Sequence, residues 1–117
     1  MTEREKMASG ELYYSCDPQL ERDRKRGKKL TRYYNQTTEE EEERREEILQ
    51  ELFSSIGKKV HIEPPFHCDY GYHIQVGDYL YANYGCVILD ICPVTIGNHV
   101  MLGPGVNIYT AAHPIDS

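Results

Sequence analysis

Histidine and cysteine supply the reactive side chains of this sequence. A histidine ring titrates near neutral pH, so it is suited to take a proton from a hydroxyl group. The pair His67-Cys68 has no second pair at the spacing of zinc ligands, and we therefore expect no metal site. The candidate bases are His61, His67, His73, His99 and His113.

The cysteines form no CxxC pair, and the chain starts without the apolar segment of a signal peptide. We therefore expect reduced thiols and a cytoplasmic location. The four cysteines are Cys16, Cys68, Cys86 and Cys92.

Length and charge limit the kinds of protein that could position these residues. The 117 residues suit one domain, or a domain with a small appendage, and carry a formal net charge of −6. This acidity disfavours a generally basic nucleic-acid binder, and no stretch approaches the roughly 20 apolar residues that span a bilayer. Every Lys and Arg lies within residues 1–59.

Residues 1–57 carry helix signals and are predicted to form a small helical domain. Thr2 with Glu5 and Thr38 with Glu41 have the spacing of capping boxes, and Asp17-Pro18 resembles an N-cap followed by proline in the first turn. A third amphipathic helix is predicted to end at a glycine stop, Gly57. Its apolar positions are Ile48, Leu49, Leu52, Phe53 and Ile56.

Residues 58–117 follow a different pattern, in which apolar side chains recur every six residues. Such a period, with glycine at corners, is typical of a solenoid in which three hexads close one triangular coil. Cys86 and Cys92 fall on a second inward track and are interpreted as small core residues. The first track is Val76, Ala82 and Ile88 and, after a two-residue slip, Ile96, Leu102 and Ile108.

His113 follows Ala112, the last inward position of the second track, and precedes Pro114. Proline disfavours helical geometry in the residue before it, so His113 is expected in an extended segment with its ring directed off the coil.

Several segments together resemble the maltose and galactoside O-acetyltransferases, which are hexapeptide-repeat acyltransferases. They are EKMASGELY at 5–13, DRKRGKKL at 23–30, IEPPFHCDYGY at 62–72, YANY at 81–84, VILDICPVTIG at 87–97 and PGVNIYTAAHP at 104–114. The resemblance implies a mainly β protein, a left-handed parallel β-helix preceded by a small N-terminal α-helical domain on the acceptor side. It also implies a homotrimer with its active sites between subunits.

The activity implied by the resemblance is acetyl transfer from acetyl-CoA to a hydroxyl of a mono- or disaccharide. The family's general base lies in an HP dipeptide, which here is His113-Pro114. The resemblance places acceptor contacts at Asp69, Tyr81 and Asn83, with Asp90 near the same region and Arg24 reaching from the helical part; for Asp90 a turn cap is the alternative. Ser15 occupies a position where relatives carry aspartate or serine.

The chain also departs from the family, whose members continue with further coils after the HP dipeptide. The CoA contacts are expected in those coils, and residues 60–117 contain no Lys or Arg for the CoA phosphates. A fragment, a naturally shortened chain and a chain completed by another polypeptide all fit the sequence. The alternative function is a non-catalytic solenoid for oligomerisation or binding.

Overall fold

The computed structural model describes residues 1–110 and the backbone of residues 113 and 114. Three helices come first, with a short strand between the first two: α1 (Glu3–Ala8), β1 (Leu12–Tyr13), α2 (Pro18–Asn35) and α3 (Glu42–Leu52). The strands that follow are β2 (Ser55–Ile56), β3 (His61–Ile62), β4 (Phe66–Cys68), β5 (Ile74–Val76), β6 (Tyr81–Ala82), β7 (Cys86–Leu89), β8 (Val94–Ile96), β9 (Met101–Leu102), β10 (Asn107–Tyr109) and β11 (His113–Pro114).

The N-terminal ends of α1 and α2 are capped as predicted. The Glu5 N–H donates to Thr2 Oγ1 at 3.1 Å, and the Thr2 N–H donates to Glu5 Oε1 at 3.0 Å. At α2, Asp17 Oδ2 accepts hydrogen bonds from the N–H groups of Gln19 and Leu20. These side chains satisfy N–H groups that have no partner within the helix.

The third helix is shorter than predicted, because α3 ends at Leu52. Phe53 is already extended, and Ile56 lies in β2, where it pairs with Val76 of β5. Gly57 is therefore a corner of the first coil and not a helix stop, and the coil begins at Ser55, before the predicted boundary between residues 57 and 58. An apolar spacing of three and four continued by chance from the helix into the strand.

Residues 55–109 form a left-handed parallel β-helix, as predicted. Its three faces are the parallel sheets β2-β5-β8, β3-β6-β9 and β4-β7-β10. Stacked partners are 20 residues apart, as Gln75 and Thr95 are, so each coil is two residues longer than three hexads. The additional residues lie at the corner between the third and first faces, where the sequence pattern slips by two residues. This corner is called the long corner below.

The predicted inward positions are confirmed for the first three members of the track. Val76, Ala82 and Ile88 are 4%, 1% and 1% exposed. Cys86 is also fully buried, but Cys92 is only half-buried. Cys92 lies at the long corner, and its Sγ donates to the Met7 carbonyl at 3.2 Å, so the residue contacts α1 instead of filling the prism.

One core joins the helices to the coils. Leu30, Tyr34 and Leu52 from α2 and α3 are buried in the same cluster as Ile62 and Phe66. A smaller cluster joins Met7, Tyr13 and Leu20 to Tyr70. Within the described part of the chain, no helix is both long and apolar enough to cross a membrane.

Candidate functional site

Arg24 links the N-terminal segment to the long corner of the first coil. It is half-buried on α2, where its Nη2 donates to the Ser15 carbonyl at 2.7 Å and its Nη1 donates to the Tyr70 hydroxyl at 3.0 Å. A planar guanidinium held at both nitrogens has a fixed orientation. The structure therefore brings together two of the predicted contacts, Arg24 and Ser15, and adds Tyr70.

Asp69 lies beside this arginine, immediately after β4. Its carboxylate is half-buried, and Oδ2 is buried without a hydrogen-bond partner among the described residues. Burial raises the pKa of Asp69, and the charge of Asp90 raises it further, whereas Arg24 and Lys28 lower it. An unpartnered carboxylate oxygen is uncommon in a folded protein and makes Asp69 a candidate functional residue.

Asp90 has a structural role, and the prediction that it contacts a sugar is wrong for this geometry. The residue is fully buried at the end of β7, and its two carboxylate oxygens accept four backbone hydrogen bonds of 2.7–3.2 Å. The donors are the N–H groups of Asp69, Tyr70, Gly71 and His73. Asp90 thus fixes the corner that carries Asp69, which agrees with the turn-cap alternative.

An aromatic cluster continues from this corner. The rings of Tyr70 and Tyr72 are stacked with centroids 5.3 Å apart, and the Arg4 guanidinium lies 3.9 Å from the Tyr72 ring centroid. The Tyr72 hydroxyl donates to Asp23 Oδ2 at 2.9 Å. Sequence reasoning missed Tyr70 as a partner of Arg24, although it directly follows Asp69 in the segment CDYGY.

Tyr81 and Asn83 lie elsewhere, on the second face of the prism and at the corner that follows it. The Tyr81 ring stacks on His61 with centroids 5.4 Å apart, and Asn83 Oδ1 accepts from the Tyr84 N–H at 2.8 Å. Within residues 1–110, no hydrogen bond, ion pair or ring contact joins these two residues to Arg24 or Asp69. One chain therefore does not assemble all the predicted contacts.

His113 lies in β11, which pairs in parallel with β1. The aligned residues are Leu12 with His113 and Tyr13 with Pro114. The extended backbone expected before proline is therefore confirmed. Ser15, the partner of Arg24, follows Tyr13 by two residues, so the pairing brings the His113 backbone to the N-terminal segment that contacts Arg24. The side chain of His113 lies outside the described residues.

Two of the thiols are buried, and two of the histidines other than His113 contact neighbouring groups. Burial raises the pKa of Cys68 and that of Cys86, which keeps both thiols protonated and unreactive. His61 Nε2 lies 2.7 Å from Glu63 Oε1, and the His73 ring contacts the Asp90 carbonyl. In the described residues, no group of three or more His, Cys, Asp or Glu side chains has the geometry of a metal site.

Comparison with known proteins agrees with this architecture. Residues 6–57 match the family described as the maltose acetyltransferase hexapeptide capping motif. The structure of a maltose O-acetyltransferase from Clostridium difficile is 54% identical, with a TM-score of 0.93 over all of this chain. The chain is thus similar, along nearly all of its length, to maltose and galactoside O-acetyltransferases.

Two further relatives show what share of a relative's length the chain spans. Nodulation protein L of Rhizobium meliloti is 43% identical over 98% of this chain. A galactoside acetyltransferase solved in complex with coenzyme A is 34% identical, with a TM-score of 0.86 over 93% of this chain. The chain spans 63% of the maltose enzyme, 63% of the nodulation protein and 55% of the galactoside enzyme.

Proposed function

We propose that this chain forms the acceptor-binding part of an acetyltransferase that transfers acetyl from acetyl-CoA to a sugar hydroxyl, with His113 as general base. The pairing of β11 with β1 carries the proposal, because it brings His113 to the segment whose Ser15 carbonyl holds Arg24. The galactoside relative with bound coenzyme A and the maltose relative support the donor and the class of acceptor.

The acceptor side of the site needs a base and groups that orient the hydroxyl. A sugar hydroxyl is a weak nucleophile at neutral pH, and a histidine ring nitrogen that takes its proton makes the oxygen able to attack a carbonyl. The half-buried carboxylate of Asp69 would accept a hydrogen bond from a neighbouring sugar hydroxyl. Arg24 would hold the site in place through Ser15 and Tyr70.

A homotrimer would complete the site. Tyr81 and Asn83 lie on a different side of the prism from Asp69, so we propose that they reach the acceptor bound by a neighbouring subunit. Large apolar side chains exposed on the coils support such an assembly: Tyr84, Met101 and Tyr109 are 59%, 78% and 66% exposed. Mixed oligomers of Asp69→Ala and Asn83→Ala chains should recover activity that neither variant has alone, and failure to recover would contradict shared sites.

Residues 60–110, which form most of the described coils, do not fit the phosphates of coenzyme A. Residues 60–110 contain no Lys or Arg, and phosphate groups require cationic side chains or clustered N–H donors. We therefore assign no CoA contact to these residues. Acetyl-CoA would supply the acetyl group, and this chain's residues would bind and deprotonate the acceptor.

The same lack of cations favours a second candidate, a non-catalytic solenoid used for oligomerisation or binding. Calorimetric titration with the acceptor sugars maltose, glucose and a galactoside separates the two functions, because acceptor binding needs no CoA contact. Binding of one sugar that is lost in Asp69→Ala would contradict the scaffold, whereas a folded chain without affinity for any of them would support it.

His113→Ala tests the base. The assay follows thiol release from acetyl-CoA with maltose, glucose or a galactoside as acceptor. Loss of a general base lowers kcat by about 10²–10⁴-fold, and binding of the acceptor should change little.

His99→Ala is the matched control, because His99 is exposed and stacks on Tyr79, with ring centroids 4.9 Å apart. This variant should keep full activity. Full activity in His113→Ala would contradict the assignment of the base.

A further inference from the structure

A basic groove runs between α2 and α3, on a part of the molecule that the proposed acceptor site does not use. It encloses about 570 Å³, within the range of small-molecule sites. Its cationic side chains are Lys25, Arg26, Lys29 and Arg44. The candidate residues Arg24, Asp69 and Ser15 do not line it.

The groove has more cations than carboxylates among its lining residues, and only Arg44 also borders an acidic surface, which is formed by Glu40–Glu43 and Glu47. Glu51 is the one carboxylate among the lining residues, against four cations. Within residues 1–110, none of these cations forms an ion pair with a carboxylate. Four cations around one groove repel each other, and an anion bound between them would remove that cost.

Arg26 provides the second observation, because one of its nitrogens lacks an acceptor. Its Nη2 donates to the backbone carbonyl of Glu51, which anchors the guanidinium across the groove. Its Nη1 is buried and has no hydrogen-bond partner in the described part of the chain. A buried charged donor without an acceptor is costly, and a movement of this side chain toward an oxyanion in the groove would remove that cost.

The floor and wall of the groove favour an organic anion over a simple ion. Leu30 and Ile48 are 6% and 2% exposed and form an apolar floor. Tyr33 adds an aromatic wall, with Lys29 Nζ lying 5.8 Å from its ring centroid. A ring could pack on this surface while its phosphates meet the cations.

We propose that the groove between α2 and α3 binds a phosphorylated ring compound of the nucleoside diphosphate class. The phosphates contact Arg26, Lys25, Lys29 and Arg44, and the ring packs against Tyr33 above Leu30 and Ile48. The site is separate from acetyl transfer, so it can be tested whether or not the chain is an enzyme.

The test is calorimetric titration of the folded chain with ADP, pyrophosphate and adenosine. ADP should bind most tightly, pyrophosphate more weakly and adenosine least, and higher ionic strength should weaken the two phosphate ligands. The double variant Lys25→Gln/Lys29→Gln changes two exposed side chains and should weaken ADP binding by about tenfold.

The control Arg22→Gln/Lys58→Gln removes the same charge from exposed positions outside the groove and should leave ADP affinity unchanged. If both double variants weakened ADP binding equally, net charge alone would attract ADP, and the proposed site would be wrong. Adenosine binding as tightly as ADP, or no ADP binding at millimolar concentration, would also overturn it. Retained ADP binding in Lys25→Gln/Lys29→Gln would place that ligand elsewhere, with the same consequence.

Discussion

Two neighbouring carboxylates at the long corner of the coil have opposite environments. Asp90 is fully buried and accepts four backbone hydrogen bonds, whereas the buried Oδ2 of Asp69 has no partner in the described chain. Asp90 is therefore satisfied by the fold itself. Asp69 is held in a position that costs stability, as binding residues often are.

Replacing Asp69 by Asn should stabilise the chain at neutral pH. Burial raises the pKa of Asp69 in the folded state, so the unfolded chain loses this proton at lower pH than the folded chain does. Stability therefore falls as pH rises through the range between the two pKa values, and the neutral amide avoids this loss. Urea unfolding of Asp69→Asn at pH 7 should show a higher midpoint than the parent, with the gain vanishing near pH 3.

Asp78→Asn is the control for this prediction. Asp78 is a coil-corner carboxylate whose Oδ1 accepts a hydrogen bond from the Lys58 N–H at 2.8 Å, and an amide oxygen can replace it. The control should leave the urea midpoint at pH 7 unchanged. A gain in Asp69→Asn that stayed constant from pH 3 to pH 7 would show that the charge is not its cause.

The sequence predicted some roles of single residues better than others. Arg24 and Ser15 were identified through the family resemblance, and the structure places them in contact. Tyr70 was missed because its hydroxyl meets an arginine 46 residues away. The role of Asp90 depends on amides from the preceding coil, which a linear pattern does not reveal.

At the level of elements, Gly27 sets the distance between α2 and the long corner. A Cβ at this position would lie 2.7 Å from the Asp69 carbonyl oxygen and 3.0 Å from that of Tyr70. Glycine weakens a helix interior by about 1 kcal/mol relative to alanine. The close packing of α2 on the corner that carries Asp69 therefore requires glycine, although glycine by itself destabilises the helix.

Gly27→Ala should destabilise the protein even though alanine favours the helix. The contacted atoms belong to the backbone and cannot move aside as a flexible side chain would, and such overpacking costs about 1–3 kcal/mol. Urea unfolding should show the loss. Lys25→Ala, at an exposed position of α2, should change stability little, and a Gly27→Ala chain more stable than the parent would contradict the close packing.

The sequence predicts the coils better than it predicts the end of α3. The hexad track is set by side chains that all face one narrow interior, so it predicted the coils and even the two-residue slip. The end of α3 was misplaced because Ile56 and Gly57 belong to the next coil, where an added Cβ on Gly57 would lie 2.4 Å from Asp78 Oδ1. A local period cannot show where packing against another coil begins.

Across the whole molecule, side chains of α2 connect the helices to the coils by direct hydrogen bonds. The Tyr34 hydroxyl donates to the Ile62 carbonyl at 2.6 Å, and burial raises the pKa of Tyr34 to about 12. The Asn35 side chain pairs with both backbone groups of Phe66, at 2.8 and 2.9 Å. The helical and coiled parts should therefore unfold together.

Leu52→Ala tests this shared stability. Leu52 is fully buried at the end of α3, in the cluster that also contains Phe66. Removing a buried leucine side chain costs about 2–5 kcal/mol, which is a large part of the stability of a small domain. Circular dichroism at the helix band and amide NMR signals of coil residues should report one common transition, at a lower Tm than the parent.

Gln50→Ala provides the comparison, since Gln50 is exposed on the same helix and its loss should leave Tm nearly unchanged. If the two parts had separate cores, Leu52→Ala would lower the helix transition alone, and the NMR transition of the coil residues would stay at the parental Tm. A single lowered transition instead requires that the packing of α3 stabilises the coils that carry Asp69. A core substitution in α3 would then also loosen the corner that carries Asp69.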